Sequence, residues 1–287
     1  MTSRIPDFKS AAHAAQAGLG TEGAARLLDA GRAWDLAQVL REGGAVIFPH
    51  LSLSLCGHFT AAAVHACLDS GVDRVLVLGV LHALTDELEA ARVRVAEGGD
   101  PSREASWGIQ GPGVDARDDW TREFSLEGFL FLWREELTRR GVEGPELIVR
   151  YPYLAGGAPD VMPGMRELAA VASGAAVVAT ADPFHHGVGY GDAPEHALPP
   201  DERGLALARK RIGDGLELLE SGDHAGYNRH CVDAKSDARD VGQVVRHLVG
   251  PVRGELLDVV VEDTTGAYGA PPPTWVAGAL MTLMSER

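Results

Sequence analysis

The chain has 287 residues, 45% hydrophobic and 23% charged, which is ordinary for a soluble globular protein and ample for one sizeable core. Its 41 acidic and 26 basic residues leave a formal net charge of −15, which argues against nonspecific binding to nucleic acid or an anionic membrane. No apolar run reaches the roughly 18 residues of a membrane span, and residues 1–20 lack the apolar centre of a signal peptide.

In chain order, residues 1–43 are rich in Ala, Gly and Leu at helical spacing and predict an N-terminal helical cap. Ala45–Phe48 predicts a first buried strand and Gly57–Ser70 the helix behind it. Arg74–Leu78 is the second strand, Asp86–Val95 a short helix, and Gly98–Asp119, rich in Gly, Pro, Asp and Arg, a long loop. Phe124–Arg139 carries aromatic and leucine residues at helical spacing. Strands follow at Glu146–Arg150 and Ala176–Ala181, then amphipathic helices at Asp201–Ser221 and Asp240–Leu248. Leu256–Glu262 is a late strand and Thr274–Ser285 a final apolar element. Alternating strands and helices predict an α/β fold, a layered αβα sandwich on a mixed, mostly parallel sheet. With no repeat and no interdomain linker, residues 1–287 read as one domain.

Three of these strands run into histidine: His50 after Ala45–Phe48, His82 after Arg74–Leu78, and Asp182, His185 and His186 after Ala176–Ala181. Ligands bind outside the carboxyl ends of strands in open α/β sheets, so imidazoles delivered there point to one metal or acid/base site. His50 and His82 are the strongest ligand candidates, with Asp182 and His185 next, on a turn fixed by Pro183 and Gly187. His186 is expected to point away, at the pocket edge or the surface. Two imidazoles plus one anionic ligand suit non-haem Fe(II), and also catalytic zinc. The remaining imidazole would then move protons.

The cysteines Cys56, Cys67 and Cys231 form no paired spacing and fit free thiols in a reducing cytoplasm. Cys231 reads either as a thiolate ligand or nucleophile, or as a small buried hydrophobe. Glu123 and Glu127, one helical turn apart, read by themselves as a solvated face. Walker, dinucleotide-binding and nucleophile-elbow motifs are absent.

Taken together, several segments from residue 44 onward resemble the Memo family (AmmeMemoRadiSam system protein B), a structural relative of the class III extradiol ring-cleaving dioxygenases. The family's Pro-His-Ala-Gly-Tyr-x-Tyr-x-Gly corresponds to Pro49-His50-Leu51-Ser52-Leu53-Ser54-Leu55-Cys56-Gly57, and its Leu-Gly-Pro-Ser-His to Leu78-Gly79-Val80-Leu81-His82. Glu123-Phe124-Ser125-Leu126-Glu127 matches Glu-His-Ser-x-Glu, and Ala181-Asp182-Pro183-Phe184-His185-His186-Gly187 matches Ser-Asp-Phe-x-His-x-Gly. Cys231 matches a cysteine before the late helix, and Thr274–Ala279 loosely matches the family's tail.

The resemblance implies an extradiol-dioxygenase-like fold with His50, His82 and Cys231 as metal ligands, His185 as the acid/base group, and Asp182 orienting it or the substrate. It implies a mononuclear non-haem iron oxygenase taking O2 and a bidentate or carboxylate-bearing small molecule, in the cytoplasm and compatible with a homo-oligomer. A thiolate ligand makes copper a competitor to iron. A zinc hydrolase, or a copper- or iron-handling protein without turnover, are the alternatives. Leu53 and Leu55 stand where the family has phenols and are expected to make the substrate rim apolar, with Glu127 and His186 on the same substrate side. Phe124 replaces the family's histidine.

Overall fold

The computed structural model describes residues 8–114 and 117–286. An N-terminal helix α1 (Phe8–Gly31), whose backbone leaves helical geometry at Gly20, and a short α2 (Ala37–Arg41) precede the sheet. There follow β1 (Ala45–Phe48), α3 (Leu53–Asp69), β2 (Arg74–Leu78), α4 (Asp86–Ala96), β3 (Gly108–Gln110), α5 (Glu127–Arg140) and β4 (Glu146–Tyr153). The second half contains α6 (Met165–Ala172), β5 (Ala176–Thr180), β6 (Phe184–Gly187), α7 (Glu202–Ser221), α8 (His224–Asp233) and α9 (Ala238–Val249). A long hairpin of β7 (Val252–Asp263) and β8 (Thr274–Ser285), joined through α10 (Thr265–Tyr268), ends the fold.

The strands form one mixed sheet ordered β3-β4-β2-β5-β1-β8, with β6 and β7 also paired to β8. β4, β2, β5 and β1 are mutually parallel, and the strands outside them are antiparallel to their neighbours. The parallel strands are covered on both faces, as their apolar runs require. Along β1, Ala45 and Ile47 face one core while Val46 and Phe48 face the other. β2 and β5 alternate in the same way, so the period-2 pleat divides each strand between two cores. Helices α1 to α5 pack on one face and α6 to α9 on the other, giving the three layers expected from the sequence.

Local chemistry sets the element ends. The Thr85 hydroxyl accepts the Leu88 N–H at the start of α4, and Asp201 accepts N–H groups of Arg203 and Gly204 at the start of α7. α5 ends at Gly141, whose φ of 64° suits glycine.

Several boundaries differ from the sequence reading. The helix after β1 begins at Leu53 rather than Gly57, so Leu53 and Leu55 lie on its first turn. α5 begins at Glu127, because residues 119–122 form a 3-10 turn and Glu123 is extended. Of the turn expected around Pro183 and Gly187, residues Phe184–Gly187 form a strand instead, since their backbone pairs with β8. The Gly98–Asp119 stretch contains β3, paired to β4; its residues 115 and 116, like the first seven of the N-terminal cap, lie outside the described residues.

Candidate metal centre

The site forms at the carboxyl ends of β1, β2 and β5. Pro49 carries the chain off β1 and His50 follows immediately. Its N–H donates to Asp182 Oδ1 at 3.2 Å, and its Nδ1 meets Thr180 Oγ1 at 3.2 Å. The Thr180 hydroxyl already donates to the Phe48 carbonyl at 3.0 Å, so it accepts from the ring, and Nδ1 carries the hydrogen. This fixes the tautomer and leaves the Nε2 lone pair free. The parallel register that places Thr180 beside Phe48 is what brings the hydroxyl under the imidazole.

His82 sits at the end of the segment leaving β2. That segment packs closely on Tyr151, where a Cβ at Gly79 would lie 2.2 Å from the ring, so glycine is required. Glu123 then clamps the histidine. Its Oε2 accepts the His82 N–H at 2.7 Å, and its Oε1 accepts from His82 Nδ1 at 3.0 Å and from the N–H groups of Phe124 and Ser125 at 2.7 and 2.9 Å. A carboxylate behind the imidazole is the usual support of a metal-binding histidine. Again the Nε2 lone pair is left free. Glu123 is buried, not part of a solvated face, because the chain is extended there and turns the side chain inward.

The third group is Asp237, which the sequence reading did not single out. It occupies the N-cap position of α9, yet its side chain makes no capping bond; the Ser236 hydroxyl takes the Ala238 N–H instead. Asp237 Oδ1 accepts the Asp182 N–H at 2.6 Å. Oδ2 lies 3.2 Å from His50 Nε2 and 3.7 Å from His82 Nε2, buried and with no hydrogen-bond donor in acceptable geometry.

His50, His82 and Asp237 therefore form a cluster that can hold a metal ion, with their ligand atoms within 4.8 Å of one another. The residues fit a cation well. Each has its other polar atom committed elsewhere, and the three remaining atoms, two neutral-imidazole lone pairs and one anionic oxygen, lie close together. Such a buried, unsatisfied oxygen is costly unless a cation or donor meets it.

Without a cation the charges interact directly. Burial opposes protonation of His50, but Asp182 and Asp237 outweigh it and raise its pKa. Burial is likewise overcome at His82, where Glu123 and Asp237 raise the pKa to about 10. Despite its burial, Asp237 is held well below the usual carboxylate range by the imidazoles. A divalent ion would take the place of the imidazole protons. Burial lifts Asp182 to about 7, assisted by the Asp237 charge. His185, on β6, is pushed down to about 4 by burial; its Nδ1 is buried and unpartnered.

The cluster closes the polar end of a cavity of about 370 Å³, within the usual range for small-molecule sites. His185, Asp182 and Leu53 line it, and Phe8, Phe124 and Phe129 supply aromatic wall. Phe124 stacks on His82 with ring centroids 4.6 Å apart. A second cavity of about 660 Å³, between β3, β4 and α6, contains none of the cluster residues.

Other expected site residues lie elsewhere. Cys231 is buried on α8 with its thiol against Tyr227 and Ser236, in a small separate cavity beneath Ile47 and Pro183. Burial pushes its pKa up to about 12, the opposite of what a thiolate ligand needs. Asp237, six residues later, stands in the cluster where Cys231 was expected. The residue type misled here, because a buried cysteine and a ligand cysteine look alike in sequence. Glu127 bonds Lys9 and His13 of α1 and does not line the cavity. His186, on the opposite side of β6 from His185, pairs with Asp192 and accepts the Leu198 N–H. Leu55 is also absent from the lining, since the first turn of α3 separates it from Leu53.

No protein-family model and no curated protein matches the chain. Among the described residues no helix is long and apolar enough to cross a membrane.

Proposed function

We propose that this chain is a mononuclear non-haem Fe(II) enzyme that uses O2 on a small organic substrate, in keeping with the Memo and extradiol dioxygenase proteins it resembles. One observation carries the reading: His50 Nε2, His82 Nε2 and Asp237 Oδ2, each the free atom of a group otherwise committed, converge on the polar end of a cavity with room for a substrate. Two imidazoles and one carboxylate leave coordination positions open and favour iron. With a carboxylate as third ligand, the case for copper that a thiolate would make falls away. Bound iron would supply Lewis acidity and the electrons that O2 chemistry needs.

The remaining residues act by holding and moving protons. His185 lines the cavity and its buried Nδ1 has no hydrogen-bond partner, which suits it to take the proton of a substrate hydroxyl. Asp182 accepts the His50 N–H and so fixes that residue at the end of β1. Aromatic and aliphatic side chains form most of the remaining wall and give a substrate an apolar surface beside these groups.

The test is O2 consumption by anaerobically iron-loaded protein against a panel of small diols and phenols. His185→Gln should retain iron while losing about 10²-fold in rate, the usual scale of a lost general base. Turnover that proceeds without O2 and prefers zinc would replace this reading with a hydrolase using the same three ligands.

A further inference from the structure

We infer that the ligand of this cavity is an apolar molecule carrying an ammonium group rather than a carboxylate, and that Glu262 selects it. This deepens the proposed function, since it names the substrate class of the same site.

Outside the two histidines of the cluster, the charged groups of the cavity are acidic. Asp182, Asp237, Glu262 and Asp263 line it, and no Lys or Arg is among the described lining residues. A divalent ion in the cluster would be offset by Asp237 and by Glu123 behind His82. Glu262 and Asp263, which lie outside the cluster, then remain without a compensating cation among the described residues. A substrate carboxylate would meet them with no guanidinium or ammonium to receive it, and like charges brought together in a partly dry cavity repel. The carboxylate-bearing substrate expected from the sequence does not suit this lining.

Glu262 is built as an anchor. It lies near the end of β7, and its Oε2 accepts the Ser52 N–H at 3.1 Å, which holds the carboxylate at the cavity wall. No cation pairs with it among the described residues, so its charge is held in place and left unspent. Asp263 beside it is held by the Thr265 N–H at 2.9 Å. Phe8 and Phe124, stacked with ring centroids 5.1 Å apart, stand in the same wall. Aromatic faces accept both an apolar ring and an ammonium group. The resulting ligand has a neutral head at the histidine cluster, an apolar body along the phenylalanines, and an amine at Glu262.

Three probes with one shared head test this: catechols bearing a methyl, an aminoethyl or a carboxymethyl tail. Their affinities for metal-loaded protein are measured anaerobically by calorimetry, with metal content determined on the same samples. The aminoethyl probe should bind at least tenfold tighter than the carboxymethyl probe. Glu262→Gln, which keeps the oxygen that accepts the Ser52 N–H, should weaken the aminoethyl probe about tenfold and leave the methyl probe unchanged. Equal or tighter binding of the carboxymethyl probe overturns the inference, as does a Glu262→Gln protein that weakens the aminoethyl and methyl probes equally. An ammonium preference in protein that holds no metal keeps the inference and removes the iron reading. Bound metal with a carboxylate preference does the reverse.

Discussion

Among the described residues, two of the buried histidine–carboxylate clusters are opposites. In one, His65 on α3 and the fully buried Glu136 on α5 are closed by arginines: Glu136 Oε1 accepts from Arg32 at 3.0 Å and from Arg140 at 2.7 Å. His65 donates from Nε2 to the Leu28 carbonyl at 2.7 Å and accepts from Arg140 at Nδ1. Both ring nitrogens are used, and the cluster ties α1, α3 and α5 together. In the other, His50, His82 and Asp237 each keep one atom unspent, and those atoms converge beside a cavity. Glu136 Oε2 also lacks a hydrogen bond, but Arg32, Arg139 and Arg140 compensate that carboxylate and tie it to the scaffold. Buried atoms without a partner that converge beside a cavity point instead to a ligand.

The sharpest way to break this distinction is a pair of variants. Asp237→Asn keeps the oxygen that accepts the Asp182 N–H but removes the anionic ligand; it should lower metal affinity more than 100-fold with little change in the unfolding midpoint. Glu136→Ala should do the opposite, losing about 3 kcal/mol of stability, the scale of a broken buried ion pair, while metal affinity stays within twofold. Denaturant unfolding and metal titration of both proteins check the pair.

Groups behind the ligands come next. Glu123→Gln should weaken metal binding by about 10–100-fold, because it loosens the clamp on the His82 ring. Thr180→Val, which frees the His50 tautomer without changing side-chain size much, should cost less than Glu123→Gln in the same titration.

The smallest effect concerns the closed cluster. Burial lowers the pKa of His65, with the nearby arginines acting in the same direction. The unfolded chain therefore binds the proton more readily. The stability this residue contributes is full above the unfolded value of about 6.5 and is lost as pH falls below it toward the lower folded value. His65→Gln should show a smaller decline in unfolding midpoint between pH 7.5 and 5.5 than the unaltered protein. An equal decline would assign that pH dependence to other groups.

The sheet was legible because its parallel strands are buried on both faces, which writes apolar runs such as Ala45–Phe48 and Arg74–Leu78 directly into the sequence. β3 and β6 were not, since three and four residues of mixed polarity owe their extended form to pairing with β4 and β8. His50 and His82 were legible from their place after strands. Asp237 was hidden because an aspartate before a helix normally reads as a cap. Its departure from that role, with Ser236 capping in its place, exists only in three dimensions. Glu123 was hidden by its spacing from Glu127, which mimics one helical turn although the helix starts later.

The central claim is that Asp237, together with His50 and His82, makes the metal centre, and that Cys231 does not. Elemental analysis of anaerobically iron-loaded protein, comparing Asp237→Asn with Cys231→Ser, tests it most directly. The account predicts about one iron per chain in the Cys231→Ser protein, as in the unaltered one, and almost none in Asp237→Asn. Iron retained by Asp237→Asn and lost from Cys231→Ser would contradict it.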